Sequence, residues 1–423
     1  MDTVAMQIEP AKGPEIAPQK WAGDMRYVAR QPILNLEGRV QGYELLFRSG
    51  PLAVSRGDGD LAAQIMLDNV VIFGLERFTN GLPAFVSCSS EALTERLVCV
   101  LSPKETVLGI PASLATAPKV LDACRELKGR GFRLALDDFT WNANLEPLLR
   151  LADYIRVDFN RMGAEEQEHL RRLKCDSIAR VAQRVETQED YKQARARGFT
   201  LFQGNYICHP VLVRNRKMPA NRLFHFEIVR ELYRDPIEVR KLGKLVMRDA
   251  SLTYRLLRLV NSALYASHQE LRSIDSAMLI LGDDTLRRVI SLAVLSEMNG
   301  GQPTEILRMA LMRACFCESA AGNCKLDAAE QYLLGMLSLL PAMLGLSMED
   351  ITPSLPLRSE ICEALQGRAN PDRRLLTWLE SHERGDWTTC DLMMEASGLS
   401  QEKLMQCYAD AVSWAETALH SAL

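Results

Sequence analysis

This chain has no CxxC pair, no uncharged run that reads as a membrane anchor, and no strong excess of either charge. Each lack excludes something. Eleven cysteines lie scattered over 423 residues, with only Cys315 and Cys317 in a CxC arrangement. An odd count without framework spacing argues against a secreted disulfide scaffold and for reduced thiols in the cytoplasm. Zinc wants four ligands and no histidine flanks the CxC, so those two thiols read as packing residues. Lys and Arg total 50 against 54 Asp and Glu, a net charge of -4, which supplies no electrostatic case for wrapping nucleic acid. Residues 1–24 have no apolar core flanked by basic residues and are rich in proline, so they read as a flexible tail rather than a signal peptide. The longest uncharged stretch, Gln331 to Met348, is interrupted by Gly335, Ser338, Pro341 and Gly345. It predicts a pair of buried helices rather than a span of roughly 20 residues.

What is present divides the chain in two, as its length requires, since 423 residues exceed what one core usually supports. From 25 to 212, short apolar runs alternate with amphipathic segments: YVARQPIL, VQGYELLF, AFVSCS, TVLGIPA, FRLALDDF, DYIRVDF, IARVAQ and FTLFQGNYI. Strand-length runs separated by helix-length intervals are the mark of βα units, and about eight of them predict a closed TIM-like (β/α)8 barrel. Gly131 and Gly198 each stand between a charged helix and a strand, the expected C-cap position. Residues 213–223 read as a linker, within the basic, proline-containing stretch VLVRNRKMPANR. From 224 to 423 helix signals take over: Asp235-Pro236 as N-cap and first helical residue, Gly282-Asp283 as a stop and a start, and Leu256, Leu259, Val260 and Leu264 at helical spacing.

Barrels of this kind place their chemistry at the carboxyl ends of the strands. LALDDF delivers Asp137 and Asp138 there, and where strand gives way to loop both can turn toward one mouth. GYELLFR offers Glu44 as a carboxylate and Arg48 as a phosphate contact. Arg156, Glu186 and Gln203 fall at or just after three further strand ends, although capping of the next helix by Thr187 also accounts for VETQED. Gly109 has no side chain where a carboxylate is needed, and Trp141 fills space beside the aspartate pair. In the helical part His225, His268, His382 and His420 are not followed by Asp, so the clustered His and carboxylate set of a metal phosphohydrolase is lacking.

Taken in order, GYELLFR, LALDDF, DYIRVDF, VETQED and FQGNYICHP resemble the EAL family of cyclic di-GMP phosphodiesterases over residues 25–212. From about 224 to 340, DPIEV, RDASLTYRLLRLVNSALY and SIDSAMLILG resemble an HDOD domain, so the whole is similar to EAL-HDOD signalling proteins, also described as modified HD-GYP proteins. The resemblance implies magnesium or manganese held by Glu44, Asp137 and Asp138, a phosphate contact at Arg48, and further site groups at Glu186 and Gln203. It also exposes departures: Ser87 for a ligand Asn, Gly109 for a ligand Glu, Ala112 for the Glu three residues later, Arg156 for the catalytic Lys, and Thr140-Trp141-Asn142 for a Gly-rich loop.

These losses lead us to expect a pseudoenzyme with no metal cofactor, its barrel regulating or supporting an HDOD module that engages other signalling proteins. Arg156 is expected to replace the missing cation among Glu44, Asp137 and Asp138. Two alternatives stand beside this reading: an inactive receptor binding cyclic di-GMP through Arg48, Glu44, Asp137 and Gln203, and a weak phosphodiesterase. By analogy the resemblance implies a homodimer; the thiols, the charge balance and the lack of a span give the expectation of a cytoplasmic chain with neither nucleic-acid nor membrane partners.

Overall fold

The computed structural model describes residues 26–49, 76–114, 117–163, 167–170, 178–208, 220–233, 237–261, 282–299, 302–355, 357–397 and 400–422. The tail 1–24, His268 and the Asp235-Pro236 cap lie outside the described residues, as does most of the stretch read as a linker. The end of that stretch belongs to the helix Ala220–Leu232.

All eight apolar runs form strands of one closed barrel, in sequential order: β1 (Arg26–Asn35), β2 (Val40–Ser49), β3 (Ala84–Ser87), β4 (Thr106–Pro111), β5 (Arg133–Asp137), β6 (Tyr154–Asp158), β7 (Ala179–Gln183) and β8 (Leu201–Gln203). Neighbours from β2 to β8 are parallel, but β1 runs antiparallel to both β2 and β8. This departs from a uniform (β/α)8 repeat for a simple reason. Only Leu36 to Arg39 separate the first two strands, far short of the dozen or more residues that a parallel crossover needs. Asn35 closes the hairpin, its Oδ1 accepting from the amides of Glu37 and Arg39.

Strand periodicity then layers the lumen. Ile33, Phe85, Val107, Ala135, Val181 and Leu201 form a buried apolar plug inside the barrel, with Tyr154 packed on it. Two residues along each of these strands toward the mouth come Gln31, Ser87, Gly109, Asp137, Gln183, Gln203 and Arg156, while β2 contributes Glu44 in register with Gln31. The site residues are thus a second lumen layer resting on an apolar floor.

The remaining chain is helical. The uncharged stretch 331–348 becomes the helices Ala328–Leu337 and Leu340–Leu344, ended by Gly345 in the left-handed region. Among the described residues no helix is long and apolar enough to cross a membrane. Cys315 and Cys317 both lie on the helix Thr304–Ala321 with free thiols, and burial pushes the Cys315 thiol up to about 12.

The two halves meet along a polar seam on the outer face of β1 and β2. Arg30 donates to the carbonyl of Phe78 at 2.9 Å, pairs with Glu416 at 3.4 Å and lies 4.7 Å over the Tyr43 ring. The Tyr43 hydroxyl donates to Glu305 at 3.2 Å. Arg308 joins Glu305 to Glu416, the latter at 2.8 Å, and Asn80 donates to Glu416 at 3.0 Å. Two cations and two carboxylates compensate one another here, which is what lets them be buried.

One backbone constraint fixes the end of β8 beside both regions. Gly204 has φ +144°, and a Cβ there would sit 2.3 Å from the carbonyl oxygen of Val185. Gly204→Ala is therefore expected to destabilise the chain by on the order of 2–3 kcal/mol, read from the midpoint of urea unfolding. An unchanged midpoint would contradict this packing.

Candidate functional site

Arg156 sits at the centre of the mouth layer with its side chain only 1% exposed. Its Nη1 donates to both oxygens of Asp137 at 3.0 Å, and its Nη2 donates to Gln203 Oε1 at 3.1 Å and pairs with Glu44. With the Gln183 amide oxygen turned inward, that oxygen accepts from Nη2 at 2.6 Å and from Nε at 3.2 Å. The planar fork of guanidinium donors is thereby saturated by four side chains on four strands. Gln203 in turn donates to Glu44 and, at 2.6 Å, to Gln31.

Two carboxylates share one guanidinium in a buried lumen, and the imbalance falls on Asp137. Burial pushes the Asp137 carboxyl up to about 6; the neighbouring Arg156 opposes the shift and Glu44 adds to it. For Arg156, burial alone acts downward, but Asp137 and Glu44 more than offset it and hold the guanidinium above its ordinary value.

The positions expected to be lost lie against the same aspartate. Ser87 Oγ donates to Asp137 Oδ2 at 3.2 Å. At Gly109 a Cβ would fall 2.3 Å from Asp137 Oδ2, so that carboxylate leans into the space a side chain on β4 would need. Ala112 is beyond the strand and donates its amide to the Asp137 carbonyl at 2.9 Å.

Other expected members are elsewhere. Asp138 does not join Asp137: the strand ends between them, Asp138 turns to φ +51° and its side chain is exposed. Glu186 is also exposed, and Thr187 forms a capping box with Asp190, whose carboxylate accepts from the amides of Glu186 and Thr187. Among the described residues, no hydrogen bond or ion pair joins Asp138 or Glu186 to Arg156. The side chain of Arg48 lies outside the described residues. Trp141 stacks on His169 at 4.4 Å, and Asn142 caps the next helical turn. Gln31 and Gln183 went unread in the sequence. The signal was available, since each stands two residues from a lumen residue, Ile33 or Val181, and so shares its face.

Asp138 instead lines an open cleft of about 530 Å³ beside the mouth, with Thr140, Asp158, Arg161, Met162 and Arg184. Arg161 and Arg184 each reach Asp158 at 3.4 Å while remaining well exposed. Arg184, like Asp138, adopts the left-handed region just past a strand end.

Among the described residues the helical histidines form no comparable centre. His382 is buried, stacks on Trp378 at 4.9 Å, and is pushed down to about 3 by burial. His225 lies 3.6 Å from Asp249, and His420 is exposed, with Nδ1 on the Glu416 carbonyl. Among the described residues no group of three or more His, Cys, Asp or Glu side chains is arranged to hold a metal ion.

The charge count sets two expectations. Removing Arg156 strands two buried carboxylates, so Arg156→Met is expected to cost on the order of 3–5 kcal/mol in equilibrium unfolding. Asp137→Asn leaves a matched Arg156–Glu44 pair and is expected to be neutral or stabilising at pH 8. The Asp137 pKa is raised on folding, so its contribution is fully present below about pH 4 and lost as pH rises through about 6. Measured against Asp137→Asn, the wild-type chain should thus lose on the order of 2 kcal/mol between pH 4 and pH 7. A difference that stays flat, or grows with pH, would show that the two acids are not in surplus.

An EAL domain model matches residues 87–210 and an HDOD domain model matches residues 218–349. The chain is 32% identical over 398 residues to the cyclic di-GMP phosphodiesterase CdgJ of Vibrio cholerae, covering 92% of each chain. It is 31% identical over 401 residues to the uncharacterized protein YuxH of Bacillus subtilis, covering 92% of this chain and 97% of that one. Among solved structures, the FimX EAL domain of Pseudomonas aeruginosa bound to c-di-GMP is 20% identical, covering 43% of this chain and 89% of that one, with a TM-score of 0.35. A likeness that slight adds nothing to the assignment. With two relatives above 30% identity along nearly the whole length, this chain belongs to the family of proteins that join an EAL domain to a following HDOD domain.

Proposed function

We propose that this protein is a non-catalytic member of a cyclic di-GMP signalling system, whose barrel regulates an HDOD module that binds other signalling proteins. The EAL and HDOD matches and the name of the Vibrio relative support the signalling role. The lack of catalysis rests on one observation: the Arg156 guanidinium lies between Glu44 and Asp137, the two acids that the family resemblance makes metal ligands. When bound, a divalent ion in such a site supplies a water activated for attack on phosphorus and neutralises phosphate charge. The donors present do not fit one. A fixed cation already lies between them and offsets part of their negative charge, Ser87 offers a neutral hydroxyl, and Gly109 offers nothing. Disturbing only an outer partner of a metal site costs roughly 10- to 100-fold in affinity or activity. Here inner donors themselves are replaced.

A second reading is favoured by the cleft. Its volume of about 530 Å³ lies within the ~300–1,000 Å³ usual for ligand sites, and the exposed Arg161 and Arg184 are suited to phosphate. On this reading the barrel is an inactive receptor for cyclic di-GMP at the mouth.

Assays of the full chain with cyclic di-GMP and manganese or magnesium are expected to show no turnover. Hydrolysis that disappears in Glu44→Ala would overturn the proposal and align this chain with the name of its Vibrio relative; hydrolysis that survives that change comes from a contaminant. Calorimetric titration with the dinucleotide separates the remaining two readings. Micromolar binding weakened about tenfold or more by Arg184→Ala supports the receptor, and absence of binding supports a barrel that acts through its fold alone.

A further inference from the structure

The remnant site and the seam share a wall. β1 pairs with β2 on one side and β8 on the other, with Gln31 in register with Glu44 and Ile33 in register with Gln203. Because strand side chains alternate, consecutive residues of this wall face opposite ways. On β2, Glu44 turns inward to Arg156 while Tyr43 turns outward to Glu305. On β1, Gln31 accepts from Gln203 in the lumen while Arg30 reaches Glu416 in the seam. At the end of β8, Gln203 holds Arg156, while the next residues, Gly204 and Asn205, line a small cavity of about 20 Å³ that Arg30, Glu305 and Tyr408 close from the other side. Two neighbouring strands, β1 and β2, thus each carry a lumen residue and a seam residue side by side in sequence, and the chain leaving β8 passes from the lumen to the seam cavity.

Some of the pieces that meet here lie outside the two matched segments, 87–210 and 218–349. β1 and β2 precede residue 87, and the helix Gln401–Ala422, which carries Tyr408 and Glu416, follows residue 349. Both sides of this wall are buried and ionic, so a strand cannot shift on one side without lengthening charge-assisted bonds on the other.

From this arrangement we infer that the β8–β1–β2 wall couples the lumen to the seating of the C-terminal helices, making it the route by which the barrel mouth regulates the helical module. The inference rests on the regulatory reading above. Coupling of this kind is reciprocal, so a change on either face must register on the other. Physical adjacency becomes coupling only when each side is shown to bias the other.

Hydrogen exchange on the full chain tests it. In Arg156→Lys, where a shorter ammonium cannot hold four partners, amide protection in Gln401–Ala422 is expected to fall about fivefold or more. Glu44→Gln is a milder lumen variant in case the first does not fold, and a change of the same order is expected there. Reciprocally, Glu416→Gln is expected to alter protection in residues 26–49 and 201–208. Changes confined within about twofold to the mutated side, in both directions, would overturn the inference. The readout does not depend on hydrolysis: a catalytically active barrel leaves the coupling standing, and a failed coupling leaves the non-catalytic reading standing.

Discussion

One guanidinium organises this barrel. Arg156 is wholly buried, and burying a charge of that size is tolerable only because two carboxylates and two amides on neighbouring strands accept from it. The dependence runs both ways. Glu44 and Asp137 project into the same narrow lumen, and without a cation between them one would have to be protonated or displaced. A residue that is fixed in the chain and cannot dissociate supplies the positive charge between Glu44 and Asp137, and the proposed lack of catalysis rests on it.

Around that centre the architecture is economical. The apolar plug of Ile33, Phe85, Val107, Ala135, Val181 and Leu201 seals the lumen from below, so the polar layer cannot draw water from that side. Because β1 is folded back as a hairpin, β1 and β2 present their outer faces side by side, and it is there that the C-terminal helices attach. The seam balances its charges two against two, whereas the lumen carries two acids on one base. The surplus negative charge sits on the mouth side, where an incoming ligand or proton would meet it.

Much of this could be read in the residues. Each apolar run became a strand because its length and its branched and aromatic content agreed, and Gly131 and Gly198 end the helices before β5 and β8. The last described strand ends at Gln203 and the next described helix begins at Ala220, at either side of the composition change. The place of Arg156 followed from its position at a strand end and from the family resemblance, and charge counting gave its role beside the acids. What misled was local geometry. Treating YVARQPIL and VQGYELLF as two βα units overlooked that four residues cannot carry a crossover. Reading Asp137 and Asp138 as a pair overlooked that the strand ends between them, which sends one carboxylate into the lumen and the other into the cleft. Gln31 and Gln183 escaped notice because an isolated glutamine carries no chemical flag, although strand parity placed both on the lumen face. The seam was invisible for a deeper reason: Arg30, Tyr43, Glu305 and Glu416 are separated by up to 386 residues, and no local pattern announces such a pairing.

The central claim is that a fixed cation stands where a divalent ion would have to bind. Its most direct test is a crystal structure grown in manganese, with the ions located by anomalous scattering. The account predicts the Arg156 guanidinium between Glu44 and Asp137 and no ion there. Two well-occupied ions about 3.5–4 Å apart at the mouth, with Arg156 swung aside, would contradict it.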